Sequence, residues 1–238
     1  MPLFVFDLNE TLLDLKGLDP AFEAVFGDAR KRTEWFGQVV VSTLTLGATG
    51  RYRPFNEVGS SALRKLGERH GIAIGAEETA RVTEALRRLP PHPEVTDALA
   101  ELRWEGHHLA VLTNSPTTVM EAQLANAGLD AFFTDRISVE EAGALKPAPL
   151  VYRNAAERLG VAPEEMVMVR RARLGSCRCR GCGLPLRLHC PARPGPRGFG
   201  ACPRYPGPGP PEPYWPHGCP GPPGVAAPYH AASGCAPG

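Results

Sequence analysis

The stretch that decides the fold is Leu3–Asp14, LFVFDLNETLLD. Leu3, Phe4, Val5 and Phe6 form an apolar run that reads as a short buried strand, and it stops abruptly at Asp7. Asn9 and Thr11 follow at intervals of two, so a tight loop is expected around one carboxylate. Open α/β sheets place their chemistry at the carboxyl ends of buried strands, which makes Asp7 the first candidate functional group. A string this short carries weight only if the rest of the chain supplies partners.

Asp19-Pro20 reads as an N-cap with proline at the first helical position, opening a helix over about Ala21–Leu46. Further helices are expected over about Asn56–His70 and Glu77–Leu89, the latter with Val82, Ala85, Leu86 and Leu89 at helical spacing. Helices in series with no strand between them predict a helical insertion between the first strand and the rest of an α/β core. Pro90, Pro91 and Pro93 mark the return.

Beyond them the pattern alternates. Glu94–Glu105 reads as a helix with Val95, Ala98, Leu99 and Leu102 on one face, and His108–Leu112 as a buried strand ending in Thr113-Asn114-Ser115. Pro116 opens a helix that Gly128 closes. A short strand near Arg136–Val139 precedes Lys146-Pro147, a helix runs from about Pro149 to Leu159 with Gly160 as its stop, and Val167-Met168-Val169 begins another strand. This β-α-β-α-β order predicts a parallel sheet with right-handed crossovers.

Composition divides the chain in two. Overall it has 238 residues and a net charge of +1, so nothing suggests nucleic acid or an anionic membrane surface as partner. The opening MPLFVFDLNE has no basic region and only four consecutive apolar residues, so a secretory signal is not expected and a cytoplasmic protein is. All seven cysteines, however, fall at or beyond Cys177, and from Arg171 onward there are 16 of the 26 prolines, no Lys, Ile or Asp, and one acid, Glu212. Residues 1–169 read as a globular enzyme, whereas 170–238 read as an Arg/Pro/Gly/Cys-rich disordered tail. Cys177, Cys179, Cys182, His189 and Cys190 could supply four zinc ligands, but their spacing fits no standard finger.

Polar signals thus stand at the ends of successive strands. Asp7 is suited to nucleophilic attack on carbon or phosphorus, forming an ester that water hydrolyses. Thr113, Asn114 and Ser115 offer donors at a helix N-terminus, which favours an anionic group. Lys146 can hold Asp7 ionised, and Tyr152 lies within reach on the next helix. Each also has an ordinary structural reading: Asp7 as a loop acid or helix cap, Thr113 and Ser115 as caps, Lys146 as a solvated surface residue, Tyr152 as core packing. Trp35 and Phe36 read as packing within the insertion, and His70, His92, His107 and His108 as loop or surface residues without metal-ligand spacing.

The strings F-D-x-N-E-T-L, V-L-T-N-S-P and L-K-P-A-P-x-V-Y, in this order, resemble three motifs of the haloacid dehalogenase superfamily. A helical insertion directly after the first motif resembles the subgroup of type II 2-haloacid dehalogenases. The resemblance covers residues 1–169. It implies a Rossmann-like α/β core (1–14 and 91–169) with an inserted helical cap (15–90). It implies Asp7, Thr11 and Lys146 as catalytic residues and Asn9, Thr113, Asn114 and Tyr152 as substrate contacts. The implied activity is hydrolytic dehalogenation of a short 2-haloacid without cofactor or metal, by a chain whose partner is a small molecule and whose assembly could be a homodimer.

The pattern departs from that family in four places. Superfamily phosphatases carry a second Asp two residues after the nucleophile as general acid; here it is Asn9, which cannot donate a proton by ionising. Halide leaves without a proton, so this favours dehalogenation over the Mg²⁺-dependent phosphatase alternative. Dehalogenases carry Tyr-Gly where this chain has Asn9-Glu10, and a cap arginine gripping the substrate carboxylate and halide where it has Phe36, with Arg51 and Arg53 nearby. After Met166-Val167-Met168-Val169 the superfamily places one or two Asp residues, which order the lysine or bind Mg²⁺; here Arg170 and Arg171 follow. That break inside an expected motif is what a reading-frame shift near Val169 in GC-rich DNA would produce. It predicts impaired activity and a sheet lacking its last strands, with exposed edges, and it keeps a non-catalytic binding module with a Cys-rich tail as a third class.

Overall fold

The computed structural model describes residues 3–171 and the backbone of 186–189. These lie within the first of two compact units, Met1–Pro191; the second, Ala192–Gly238, falls outside the described residues, as do the expectations of zinc binding and disorder in the tail.

Five parallel strands form one sheet: β1 Leu3–Phe6, β2 His108–Thr113, β3 Asp135–Ser138, β4 Met166–Arg171 and β5 Leu186–His189, in the order β3-β2-β1-β4-β5. Both faces of β1 are covered. Leu3 and Val5 pack with Ala110, Leu112 and Met168 on one side, whereas Phe6 packs with Leu109 and Val111 on the other. This two-sided burial is why the strands read as unbroken apolar runs. The chain leaves β1 toward β2 and β3 and returns across it to β4, so the sheet's switch point lies at the carboxyl end of β1.

β5 corrects the expectation that the sheet ends at β4. Leu186–His189 pairs in parallel with β4, with Met168 opposite Leu186 and Arg171 opposite His189. The segment Leu-Arg-Leu-His starts just after Pro185, so the residue without an N–H stays outside the ladder that covers the edge of β4.

Four α-helices separate β1 from β2 before α5 Val95–Trp104: α1 Asp19–Phe26, α2 Lys31–Ala48, α3 Phe55–His70 and α4 Ala76–Arg87. The single helix expected over Ala21–Leu46 is therefore two. Gly27 takes φ +66° and ends α1, and the Asp28 carboxylate then accepts the Arg30 N–H, restarting the chain in a new direction. Asp19 is the first residue of α1 rather than its cap, and its carboxylate accepts from Arg32 Nε at 2.6 Å. Trp35 is buried against Phe22 and donates to the Gly59 carbonyl, so it ties α2 to α3 as expected of insertion packing.

The entry and exit of the insertion are pinned together. Asp14 N–H donates to the Pro90 carbonyl and His92 N–H to the Leu12 carbonyl, beside an antiparallel bridge between Leu13 and Pro91. Gly17 lies so close that a Cβ there would stand 2.5 Å from Pro90 Cδ. His92 is accordingly buried, not a surface residue, with Nδ1 3.8 Å from Asp14.

After β2 come α6 Thr117–Ala127 and, beyond β3, α7 Pro149–Leu159, ended by the left-handed Gly128 and Gly160 as the sequence predicts. Among the described residues no helix is long and apolar enough to cross a membrane.

Candidate active site

Asp7 is the first residue past β1, and its backbone N–H is still held by the Val169 carbonyl of β4 at 3.0 Å. Its side chain is 17% exposed. Oδ1 is held twice, by the N–H of Leu8 at 2.9 Å and by Lys146 Nζ at 2.6 Å. Oδ2 faces Arg170 Nε at 3.8 Å, an ion pair too long for a hydrogen bond.

Lys146 is not a solvated surface residue. Its side chain, 9% exposed, reaches beneath β2, where Nζ also donates to the Leu112 carbonyl at 2.5 Å. Its backbone N–H donates to Asn114 Oδ1 at 2.9 Å, so Asn114 places the lysine rather than standing apart from it. Burial pulls the Lys146 ammonium below its usual pKa; the Asp7 carboxylate opposes that shift and the Arg170 guanidinium adds to it.

The loop after Asp7 is locked from above and below. Asn9 Nδ2 donates to Ser115 Oγ at 3.1 Å, and Asn9 Oδ1 accepts from Gln123 Nε2 at 3.0 Å. Gln123 is fully buried on α6 and donates also to the Leu86 carbonyl in the last turn of α4, linking this loop to the insertion. Glu10, where dehalogenases carry Gly, is buried with φ +61°, a left-handed conformation that costs a side-chain-bearing residue about 1 kcal/mol or more. Thr11 closes the same turn through its N–H to the Leu8 carbonyl.

Thr113 and Ser115 are buried, and Thr113 Oγ1 accepts the Ser115 N–H at 3.1 Å. Ser115 does not cap α6. Its hydroxyl serves Asn9, while the first-turn N–H and hydroxyl of Thr117 are both taken by Glu140 Oε2, at 2.7 and 3.0 Å. The anion expected at this helix N-terminus is thus a side chain of the protein itself. Tyr152 is buried on α7 in the cluster containing Val5, Ala110 and Leu112. Phe36 stays within the insertion beside Trp35, Arg51 is exposed, and Arg53 pairs with Glu57 at 3.9 Å. Among the described residues the partners of the Asp7 side chain are Leu8, Lys146 and Arg170, not these three.

An Mg²⁺ ion does not fit this donor set. Around Asp7 an amide stands at position 9 and a guanidinium at position 170, and two cations already face the one carboxylate. Among the described residues no cluster of three metal-ligating side chains occurs.

Gln123, Glu140 and Arg170 were not foreseen as participants. Gln123 carried a signal, since a polar residue falls in helical phase with the buried Val119, Met120 and Leu124.

A doubly wound parallel sheet with a carboxylate–lysine pair at its switch point, and helices inserted directly after the carboxylate, defines the class as an α/β protein with a capped strand-end site. The sequence pattern of the haloacid dehalogenase-like hydrolases matches residues 1–169, and the chain belongs to that family. It is 31% identical over 166 residues to haloacetate dehalogenase H-2 of Moraxella sp. (strain B), covering 69% of this chain and 74% of that one. It is 33% identical to a phosphoserine phosphatase of Thermus thermophilus, covering 71% and 80%. Its fold is similar to the L-2-haloacid dehalogenase of Xanthobacter autotrophicus with chloropropionic acid covalently bound, with a TM-score of 0.67, 30% identity, and 71% and 69% of the chains covered.

Proposed function

We propose that the chain hydrolyses the carbon–halogen bond of a short 2-haloacid through an ester on Asp7. The observation that carries this reading is the unequal treatment of the two Asp7 oxygens: Oδ1 is held by two donors, Leu8 N–H and Lys146 Nζ, whereas Oδ2 has no donor within hydrogen-bond distance among the described residues. Oδ2 attacks the halogen-bearing carbon, the C–halogen pair departs with the halide, and an alkyl ester forms. Oδ1 is then the ester carbonyl oxygen. When water attacks Cγ, charge develops on Oδ1 directly in front of the Leu8 N–H and the ammonium, an oxyanion-hole arrangement. Collapse expels the former Oδ2 with the product, which takes one proton of the attacking water to become the 2-hydroxyacid; the water oxygen stays in the restored Asp7 carboxylate, and the second proton is released alongside the halide.

In this reading Thr11 shapes the loop, Asn9 and Thr113 fix it against α6, Asn114 sets Lys146, and Tyr152 supports the site from beneath. Residues 1–14 and 91–169 form the core and 15–90 the cap, pinned at Leu13–Pro91. Because β4 ends in Arg170-Arg171 rather than in a carboxylate that could take a proton from the attacking water, turnover is expected to be slow.

The similarity to a phosphoserine phosphatase supports a second reading, phosphate-ester hydrolysis, but Asn9 supplies no acid for an alkoxide leaving group and Arg170 stands where a metal-binding carboxylate is needed. Halide release from 2-chloropropionate without added metal, carried out in ¹⁸O-water with mass analysis of the Asp7 peptide, tests the proposal. Label entering Asp7 with halide release supports it; phosphate release that depends on Mg²⁺, with no halide, would sink it.

A further inference from the structure

We propose that Arg170 is the residue that grips the substrate's carboxylate, in place of the cap arginine that this chain lacks at Phe36. The assignment rests on the dehalogenase reading above, and it follows from which cations among the described residues face Asp7, namely Lys146 and Arg170. Arg32 is committed to Asp19 at 2.6 Å, Arg136 to Glu121 at 2.6 Å, and Arg158 to Glu141. Lys146 is 9% exposed, and two of its three N–H donors are taken by Asp7 and the Leu112 carbonyl.

Arg170 differs on each count. It sits one residue past Val169, at the carboxyl end of the strand next to β1, and its side chain is 51% exposed. Among the described residues its ion-pair partner is Asp7, through Nε at 3.8 Å from Oδ2, and no hydrogen bond occupies its guanidinium. A planar fork of N–H donors is therefore held beside the oxygen assigned to attack, open to solvent on its other side. A carboxylate taken bidentately by that fork places the adjacent carbon next to Oδ2, which is the spacing a 2-haloacid presents. The same guanidinium offsets the repulsion between an anionic substrate and the Asp7 carboxylate, which would otherwise oppose binding.

Propionate and propionamide have the same shape, differ in charge and in one acceptor oxygen replaced by an NH2 donor, and neither can react. Ligand-observed NMR titrations of the full chain should show propionate bound about tenfold or more tightly than propionamide, as for a single charge-assisted pair. Arg170→Gln should bring that ratio to about one, Arg170→Lys should keep part of it, and Arg53→Gln should leave it unchanged; thermal melts establish that each variant is folded. A ratio near one in the parent chain, or an unchanged ratio in Arg170→Gln or its loss in Arg53→Gln, overturns the assignment. The two readings fail separately. Propionate binding that needs Arg170, with no halide released from 2-chloropropionate, sinks the dehalogenase reading and leaves this one standing. Halide release whose KM is indifferent to Arg170→Gln does the reverse.

Discussion

Lys146→Met separates two jobs that one buried lysine could perform. In the folded chain Nζ makes two short bonds, to Asp7 Oδ1 at 2.6 Å and to the Leu112 carbonyl at 2.5 Å. Bonds from a charged donor contribute about 1.5–3 kcal/mol each, so together roughly 3–6 kcal/mol favour the native state. Against this stands the cost of taking an ammonium out of water, several kcal/mol per ion, whose direction shows in the depressed pKa of Lys146. The two nearly cancel. After substitution Asp7 keeps the Leu8 N–H, the Arg170 guanidinium and its 17% exposure to water, so it is not left as an unpaired buried charge. Stability should therefore change by no more than about 2 kcal/mol. Catalysis has no such offset, because Oδ1 loses one of its two donors as charge develops on it, which costs about 10²–10³-fold, or roughly 2.7–4 kcal/mol. Urea unfolding and halide release from 2-chloropropionate, measured at one pH, give the two numbers. Intact mass should show the Asp7 ester accumulating in the variant, since its hydrolysis is the step that slows. Turnover within about tenfold of the parent, or a stability loss above about 3 kcal/mol, would refute the argument and make the lysine a structural strut.

Asp7→Asn should abolish halide release, by at least about 10³-fold, while the melting temperature stays within a few degrees. Gln123→Met, which removes two donors but also a buried Oε1 without a hydrogen-bond partner among the described residues, should cost about 1 kcal/mol or less; Gln123→Glu turns a carboxylate onto Asn9 Oδ1 and the Leu86 carbonyl and should cost about 3 kcal/mol or more near neutral pH, less in acid, by urea melts. Because Lys146 titrates below its ordinary 10.5 in the folded state, the unfolded chain binds more protons between that lowered value and 10.5, and stability from this group rises with pH across the window; the slope should vanish in Lys146→Met. Resequencing the genomic DNA across codons 160–185 tests the frame: an insertion or deletion there returns a carboxylate motif after β4, whereas an unbroken frame leaves Arg170 as the native residue.

The strand-end positions were legible because period and boundary are local. An apolar run that stops at Asp7, another that stops at Thr113, and Gly128 or Gly160 closing a helix each announce themselves within a few residues. The break at Gly27 was equally local but was masked by helix-forming residues on both sides. Partnerships across the fold were not legible in this way. Glu140 reaches the Thr117 N–H over 23 residues, and Gln123 reaches Asn9 over 114. Nothing in the neighbourhood of either acceptor says which donor will arrive.

The charge balance at Asp7 shows why such long-range pairings decide the chemistry. From sequence, the loss of acids after β4 reads as damage, because the family's lysine is ordered from there. In the fold Lys146 is ordered from elsewhere, by Asn114, the Leu112 carbonyl and Asp7 itself, so the missing acid does not free it. What the change does at Asp7 is add a second cation, Arg170, beside the one carboxylate. A site with two cations to one carboxylate repels Mg²⁺ and attracts an anion. The substitution that argues against a phosphatase therefore also supplies the charge that a haloacid needs.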